Sequence, residues 1–330
     1  MKGYKQFFGA DISKRTVDVT MLHGSQNAHQ QFSNDKSGMQ KLLDWLGELE
    51  IKHDEALFCM EATGLYCFAL TQFLVANELD VWIEHAAQIK KATALARGKN
   101  DKIDSHRIAS YASKNLERLR LWKPMDSTLE KIKHFAALRE RIVETQKKLV
   151  VPIKEFEEAG NHEMAKLLRR TIKRSVAALD ADLNNIEKQM MEIINADAVL
   201  SKKYSNAISV VGIGFVTAIN LMVHTNGFTQ MNDVRKLACY CGVAPFEYSS
   251  GSSIRGKTKV HFMANKKLKC NLHMASLTAI KLDTDIKNYY ERKCAEGKNK
   301  MSVLNAVRNK LLARVLACVN KDRLYVNKAA

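Results

Sequence analysis

The spacing of apolar positions divides the chain into three stretches. In the first, residues 4–10 (Tyr-Lys-Gln-Phe-Phe-Gly-Ala) read as a strand, residues 16–22 alternate with period two as a second, and residues 27–32 can complete an antiparallel meander. Residues 37–49 then carry a helical stripe of Met39, Leu42, Leu43, Trp45 and Leu46. The short apolar run 56–60 predicts a buried strand, and Thr63 is placed to cap a helix running to about residue 78. Residues 79–83 supply one more strand, before helical stretches at 86–97 and 101–114. The order βββαβαβα describes an α/β domain with a mixed sheet.

From Pro124 to about residue 200 the period lengthens. Ile172, Val176, Leu179, Leu183, Ile186, Met190 and Ile193 are spaced 4, 3, 4, 3, 4, 3, a heptad seam that predicts coiled-coil pairing. An earlier stripe of Leu129, Ile132, Phe135, Leu138, Ile142 and Leu149 precedes Pro152 and Gly160, so the two helices form a hairpin or pair with another subunit. The three prolines, Pro124, Pro152 and Pro245, are read as boundary markers. After residue 200 the pattern is mixed and mainly helical, with a polar loop at 246–259. The expected organisation is an α/β domain at 1–124, a helical arm at 125–200 and a mainly α domain at 201–330.

Composition narrows the class. Among 330 residues 46% are hydrophobic and 26% charged, which excludes a mainly disordered chain. No uninterrupted apolar run approaches the ~18 residues of a membrane span. Met1-Lys2-Gly3-Tyr4 passes straight into a strand pattern, so no signal peptide is expected. The seven cysteines are scattered without a CxxC pair, which argues against a disulfide framework or zinc ribbon and for a reducing, cytoplasmic setting.

Charge is distributed unevenly. Lys and Arg number 52 against 35 Asp and Glu, net +17. Residues 1–125 and 126–250 each carry 17 basic and 15 acidic side chains, net +2, whereas residues 251–330 carry 18 and 5, net +13. A basic surface of that density suits a polyanion, because phosphate neutralisation releases counterions. A basic face without a ligand is the plainer alternative.

Four carboxylates could carry chemistry. Asp11 follows the first apolar strand, Glu61 ends the buried strand, and Asp101 and Asp104 share one face at a helix start. If the first and fourth strands are neighbours, Asp11 and Glu61 emerge side by side, and the last helix can bring the two aspartates against them. Such a set repels itself unless cations neutralise it, and hard oxygen donors select Mg²⁺ or Mn²⁺ for displacement at a phosphodiester. Each residue also has a local reading: an Asx-turn at Asp11, a helix cap at Asp101, a helix-dipole contact at Glu61.

Residues 248–257, Tyr-Ser-Ser-Gly-Ser-Ser-Ile-Arg-Gly-Lys, expose hydroxyls beside Arg255, Lys257 and Lys259, which can neutralise phosphate oxygens. Chemistry alone singles out no one serine. Val211-Gly212-Ile213-Gly214 between helical stretches resembles a helix–hairpin–helix turn, with Gly212 and Gly214 offering backbone N–H groups to phosphates, or is a simple αα turn.

Gly9-Ala10-Asp11-Ile12-Ser13-Lys14, Met60-Glu61-Ala62-Thr63-Gly64-Leu65-Tyr66 and Asn100-Asp101-Lys102-Ile103-Asp104-Ser105 resemble the motifs of the DEDD-type transposases of bacterial insertion sequences. That family is described as bridge-RNA-guided recombinases and includes pilin-gene DNA invertases. Val211-Gly212-Ile213-Gly214, Cys241-Gly242-Val243-Ala244-Pro245 and the serine loop match its second domain. The resemblance implies a RuvC-like, RNase H-type first domain in which Asp11, Glu61, Asp101 and Asp104 bind Mg²⁺ (or Mn²⁺). It implies Ser250 as nucleophile through a phosphoserine link to DNA, a structured guide RNA, and a dimer or tetramer built through the helical arm. A nucleoid-associated location follows. Relatives commonly carry Ser-Lys-x-Gly after the serine loop, where this chain has Phe262-Met263-Ala264-Asn265-Lys266-Lys267, so contacts beyond the loop differ. The rival readings are an invertase without RNA guide, a RuvC-like nuclease in which water attacks, and a non-enzymatic nucleic-acid scaffold.

Overall fold

The structure, a computed structural model, describes residues 3–92, 100–250 and 254–326. The chain forms two compact units, Met1–Pro124 and Met125–Ala330.

The first unit is built on a five-stranded sheet. Strands β1 (Gln6–Ile12), β2 (Thr16–His23) and β3 (Gln26–Ser33) form the antiparallel meander, with a tight turn at Gly24, where φ is 60°. Helix α1 (Lys36–Glu48) is capped by Asp35, whose carboxylate accepts from the Gly38 amide at 2.8 Å. Strand β4 (Ala56–Glu61) then pairs parallel with β1, helix α2 (Leu65–Ala76) follows, and β5 (Asp80–Glu84) pairs parallel with β4. Helices α3 (Ala86–Ala92) and α4 (Asp101–Lys114) complete the unit. The strand order is β3-β2-β1-β4-β5. The helical stretch expected to run to residue 97 ends, among the described residues, at Ala92; residues 93–99 lie outside them.

Alternation sends the two sets of side chains to opposite faces of this sheet. Phe8, Ala10, Phe58 and Met60 meet α1 and α2, with the Phe8 and Phe58 rings stacked at 4.4 Å. Phe7, Leu57, Cys59 and Trp82 face α4 through Ile108 and Tyr111. Between them stands Gly9. A Cβ there would meet the Ser105 carbonyl oxygen at 2.1 Å and the Ala109 nitrogen at 2.2 Å, so α4 lies directly on the β1 backbone. Thr20, the register partner of Gly9, shares a buried 2.7 Å hydrogen bond with Ser105 Oγ, which fixes the helix along its axis. One local expectation is corrected: Gly64, not Thr63, occupies the N-cap of α2, and the Thr63 hydroxyl is buried without a partner. At φ 70° and ψ −123° the cap position demands glycine, so the helix starts one residue beyond the threonine.

The second unit begins with a long antiparallel hairpin, α5 (Ser127–Glu158) and α6 (His162–Ala196), turning at Gly160. Arg139 pairs with Glu187 at 2.7 Å and Arg169 with Glu157 at 2.7 Å across it. Pro152 lies inside α5 rather than at a boundary. Proline removes a single backbone hydrogen bond there, and packing against α6 carries the helix through. Ile186, Met190 and Ile194 are buried where α6 enters the unit's core, whereas Ile172, Val176, Leu179 and Leu183 are half-buried on the projecting part. Leu138, expected in the seam, is 42% exposed. The segment 125–200 is thus rooted in the core of the second unit.

That core is completed by α7 (Ala198–Ile208), α8 (Phe215–His224), α9 (Val234–Tyr240), α10 (Lys266–Leu282), α11 (Thr284–Ala295) and α12 (Lys300–Asn320). The expected polar loop at 246–259 is instead a two-stranded antiparallel ribbon, β6 (Phe246–Ser250) and β7 (Ile254–Lys259), with a register shift between Phe246 and Tyr248. Cross-strand pairing satisfies backbone groups that a free loop would leave to water, which the polar composition concealed.

Gly9→Ala is expected to destabilise the first unit by about 1–3 kcal/mol, because backbone atoms of α4 cannot yield as a side chain would. Urea unfolding followed by tryptophan fluorescence, which Trp45, Trp82 and Trp122 confine to the first unit, checks this; an unchanged midpoint would show that α4 does not rest on β1.

Candidate active site

The same face of the sheet that carries α4 carries the acidic residues. Asp11 has the parity of Phe7 and Gly9 on β1, and pairs in register with Asp18 on β2. Glu61 ends β4, next in the parallel ladder after Met60 opposite Ala10, and its own register partner is Glu84 on β5. Asp101 and Asp104 occupy the first turn of α4. Asp11 and Glu61 therefore stand on the face of the sheet that α4 covers, and Asp101 and Asp104 on the first turn of that helix.

The turn and cap roles open to Asp11 and Asp101 belong to other side chains. The β1–β2 turn is closed by the Ser13 hydroxyl, which accepts from the amides of Arg15 at 3.2 Å and Thr16 at 2.9 Å. Helix α4 is capped by Asn100, whose side chain accepts from the Ile103 amide at 2.7 Å, so Asp101 is not the cap. Asp104 accepts a 2.7 Å bond from Arg107 and remains partly exposed.

Electrostatics report the convergence. The Asp11 carboxyl is pushed up to about 6, first by burial and then by the negative charges of Asp101, Asp104, Glu61 and Asp18. Four carboxylates on three separate elements act on one side chain, which sequence spacing alone could only suggest.

The sequence reading missed the shell around this set. Asp18 is 4% exposed, and both of its oxygens are held, by His29 Nε2 at 3.0 Å and Gln31 Nε2 at 2.9 Å. Glu84 accepts from the Tyr111 hydroxyl at 3.1 Å and from the His85 amide at 2.7 Å. Tyr111 also packs on Trp82, ring centroids 5.2 Å apart, and so joins the acidic edge to the apolar face below. A charged residue at an inward position of an alternating strand was the available signal for Asp18.

A divalent cation fits the chemistry of this donor set. All the donors are carboxylate oxygens, the ligands of Mg²⁺ and Mn²⁺. Among the described residues, no three His, Cys, Asp or Glu side chains stand close enough to ligate one ion together. Mg²⁺ does not require that, because it keeps several waters and takes only one or two protein carboxylates beside substrate phosphates.

The other predicted residues lie in the second unit. Ser250 is the last residue of β6 and pairs with Ile254; Arg255 pairs with Ser249, Lys257 lies in β7, and Lys259 is exposed opposite Phe246. Residues 251–253, which hold two more serines, lie outside the described residues. Gly212 and Gly214 sit apart from the ribbon, between α7 and α8. Gly212 has φ 94°, and a Cβ there would meet the Ala275 carbonyl oxygen at 2.4 Å, so packing against α10 already requires glycine. Gly214 is the exposed N-cap of α8, with no side-chain cap.

Two family models match the chain, the first running past the end of the first unit into α5. A DEDD transposase model matches residues 8–156, which include Asp11, Glu61, Asp101 and Asp104, and a model described as "Transposase IS116/IS110/IS902 family" matches residues 204–291, which include Gly212, Gly214 and the ribbon. The chain belongs to the IS110 family of DEDD-type transposases. It is accordingly an enzyme of DNA recombination, with an α/β first unit and a helical second one. Among relatives within reach of this family, the pilin gene-inverting protein of Moraxella bovis is 25% identical over 97% of this chain and 98% of its own length. The transposase for insertion sequence element IS1111A of Coxiella burnetii is 20% identical over 69% of this chain and 68% of its own. No described helix of this transposase is long and apolar enough to cross a membrane.

The raised Asp11 carboxyl sets a pH test on the metal-free protein. Below about pH 4 the group is protonated in the folded and unfolded chain alike. As pH rises toward 6 the folded protein must give up a proton it holds more tightly than the unfolded chain does, and stability is lost. Asp11→Asn, which cannot ionise, should therefore gain on the parent between pH 4 and 7 in EDTA, by on the order of 1 kcal/mol after allowance for solvent screening. A parent–variant difference in melting temperature that stays flat with pH would mean the carboxylates do not act on Asp11.

Proposed function

We propose that this transposase cleaves and rejoins DNA through a covalent phosphoserine intermediate, with Asp11, Glu61, Asp101 and Asp104 as its metal-binding carboxylates and Ser250 as its nucleophile. The reading rests on one observation above all: the charges of Asp101, Asp104 and Glu61 act on the half-buried Asp11 at a sheet edge, where neither Asp11 nor Asp101 closes a turn or caps a helix. The strand order β3-β2-β1-β4-β5 with α4 across it supports an RNase H-like, RuvC-type fold for the first unit.

Mg²⁺ or Mn²⁺ bound at the carboxylates supplies charge neutralisation and polarises the scissile phosphate. The chain's own residues do the rest. Asp18, held by His29 and Gln31, and Glu84, held by Tyr111, keep the acidic edge rigid. Ser250 Oγ attacks phosphorus, a Ser–O–P bond forms, and the displaced strand leaves as a free hydroxyl after taking up a proton. The hydroxyl of a new partner strand then attacks the phosphoserine, which restores Ser250 and reseals the backbone with no net loss of phosphodiester bonds. Arg255, Lys257 and Lys259 neutralise phosphate oxygens along β7, and the exposed N-terminus of α8 at Gly214 is a further place for a backbone phosphate.

The resemblance to bridge-RNA-guided recombinases adds a structured guide RNA and a homo-oligomer through the α5–α6 hairpin, whose half-buried seam residues have room for a second helix pair. Inversion of a DNA segment without an RNA guide is a second reading, favoured by a match to the pilin gene-inverting protein along nearly the full length of both chains. A defined RNA that co-purifies with the protein decides between them.

The central test is a denaturing gel after incubation with the ends of the cognate element and Mg²⁺. Protein should stay attached to DNA, and Ser250→Ala and Asp11→Ala should each abolish the adduct. Strand exchange by Ser250→Ala would overturn the nucleophile assignment, and cleavage with no adduct would favour attack by water.

A further inference from the structure

Arg308 lies on α12 with 5% of its surface exposed. Its Nη2 donates to His273 Nδ1 on α10 at 2.7 Å, its Nη1 to Asn305 Oδ1 at 3.3 Å, and its buried Nε has no partner. Among the described residues no carboxylate pairs with it, and burial lowers its pKa. A cation taken out of water without a counter-charge is strongly unfavourable. Around it the contact of α10 with α12 is otherwise apolar, built from residues such as Leu272, Ala275, Leu311 and Leu312.

The hydrogen bond fixes the chemistry of the histidine. Guanidinium is only ever a donor, so His273 Nδ1 must accept, and the ring's proton therefore resides on Nε2. His273 is only partly buried, which leaves its ring edge at Nε2 able to meet solvent. Arg308 thus stands behind a directed donor at the surface. One turn earlier on α12, Asn305 Nδ2 donates to the Val243 carbonyl oxygen at 2.7 Å, three residues before β6 begins. The pair is tied to the base of the serine ribbon.

We propose that His273 Nε2–H, backed by the Arg308 guanidinium, receives a backbone phosphate of DNA. A phosphodiester is the anion that supplies the missing counter-charge and an acceptor for the directed N–H at once. The inference rests on the chain acting on DNA and assigns one place where the second unit grips it, outside the ribbon residues.

The test measures binding of a fluorescein-labelled duplex DNA across a salt series, together with melting temperature, for the parent, His273→Ala, Arg308→Met and the double variant. Each single variant should weaken binding by about ten-fold and lower the slope of log affinity against log salt by about one, and the double variant should be no worse. Arg308→Met should melt no lower than the parent, because it removes an uncompensated buried charge. Parent affinity and slope in His273→Ala would overturn the proposal. So would an Arg308→Met protein that melts lower yet binds DNA like the parent, which would make the arginine purely structural, or a loss seen with RNA and not with duplex DNA. A parent that binds no DNA sinks the recombinase reading and this inference together; a binding parent with unaltered variants sinks this inference alone.

Discussion

Helix α4 rests on β1 at a separation that only a glycine allows. The Ser105 carbonyl and the Ala109 amide occupy the space a side chain at residue 9 would need. The placement of Asp101 and Asp104 depends on that contact. It sets the height of the helix above the sheet, and the buried Thr20–Ser105 bond sets its position along β1. With both fixed, the first turn of α4 is bound to fall beyond the end of the apolar face, where Asp11 and Glu61 emerge. A larger residue at position 9 would lift Asp101 and Asp104 away together with the helix.

The contact is held against electrostatic opposition. Burial, and then the charges of Asp101, Asp104, Glu61 and Asp18, raise the Asp11 carboxyl to about 6, and that cost must be offset elsewhere in the unit. The offset is apolar. Leu57, Cys59, Trp82, Ile108, Tyr111 and Ala112 bury a continuous face directly below the acidic edge. Caps and turns are assigned to other side chains, Ser13 and Asn100 among them, so neither Asp11 nor Asp101 is needed for one. Charge accumulated at a cost and freed of local roles is what distinguishes a reactive site from a polar surface.

Much of this was legible in the sequence because it is written in short-range pattern. The meander, the buried strand 56–61 and helix 101–114 follow from period two and period 3.6, and the placement of Asp11 and Glu61 at strand ends needed only that β1 and β4 be neighbours. What escaped depends on partners distant in the chain. Asp18 is an unremarkable acid in a strand until register sets it opposite Asp11 and β3 supplies His29 and Gln31. Glu84 and Tyr111 meet across 27 residues. The ribbon at 246–259 reads as a loop because its residues are small and polar, and only cross-strand pairing makes strands of them. Pro152 reads as a helix stop because the partner helix that overrides it begins ten residues later. Each failure is a tertiary contact outweighing a local preference.

The two units hold uncompensated charge of opposite sign. The first gathers carboxylates around Asp11, with Arg107 paired to Asp104; the second buries Arg308 with no carboxylate paired to it among the described residues and carries most of the chain's basic excess beyond residue 250. Neither arrangement is favourable for the protein alone, and neither can be relieved by substitution without loss of the feature itself. Each calls for a partner of opposite charge, a cation at the acidic edge of the first unit and an anion beside the arginine of the second. Opposed charges of this kind are stable in the free protein only because each is small beside the apolar core that carries it. That is why the acidic set sits on the packed face of α4, and the arginine between α10 and α12, rather than on loops that could relax and let the charge escape to water.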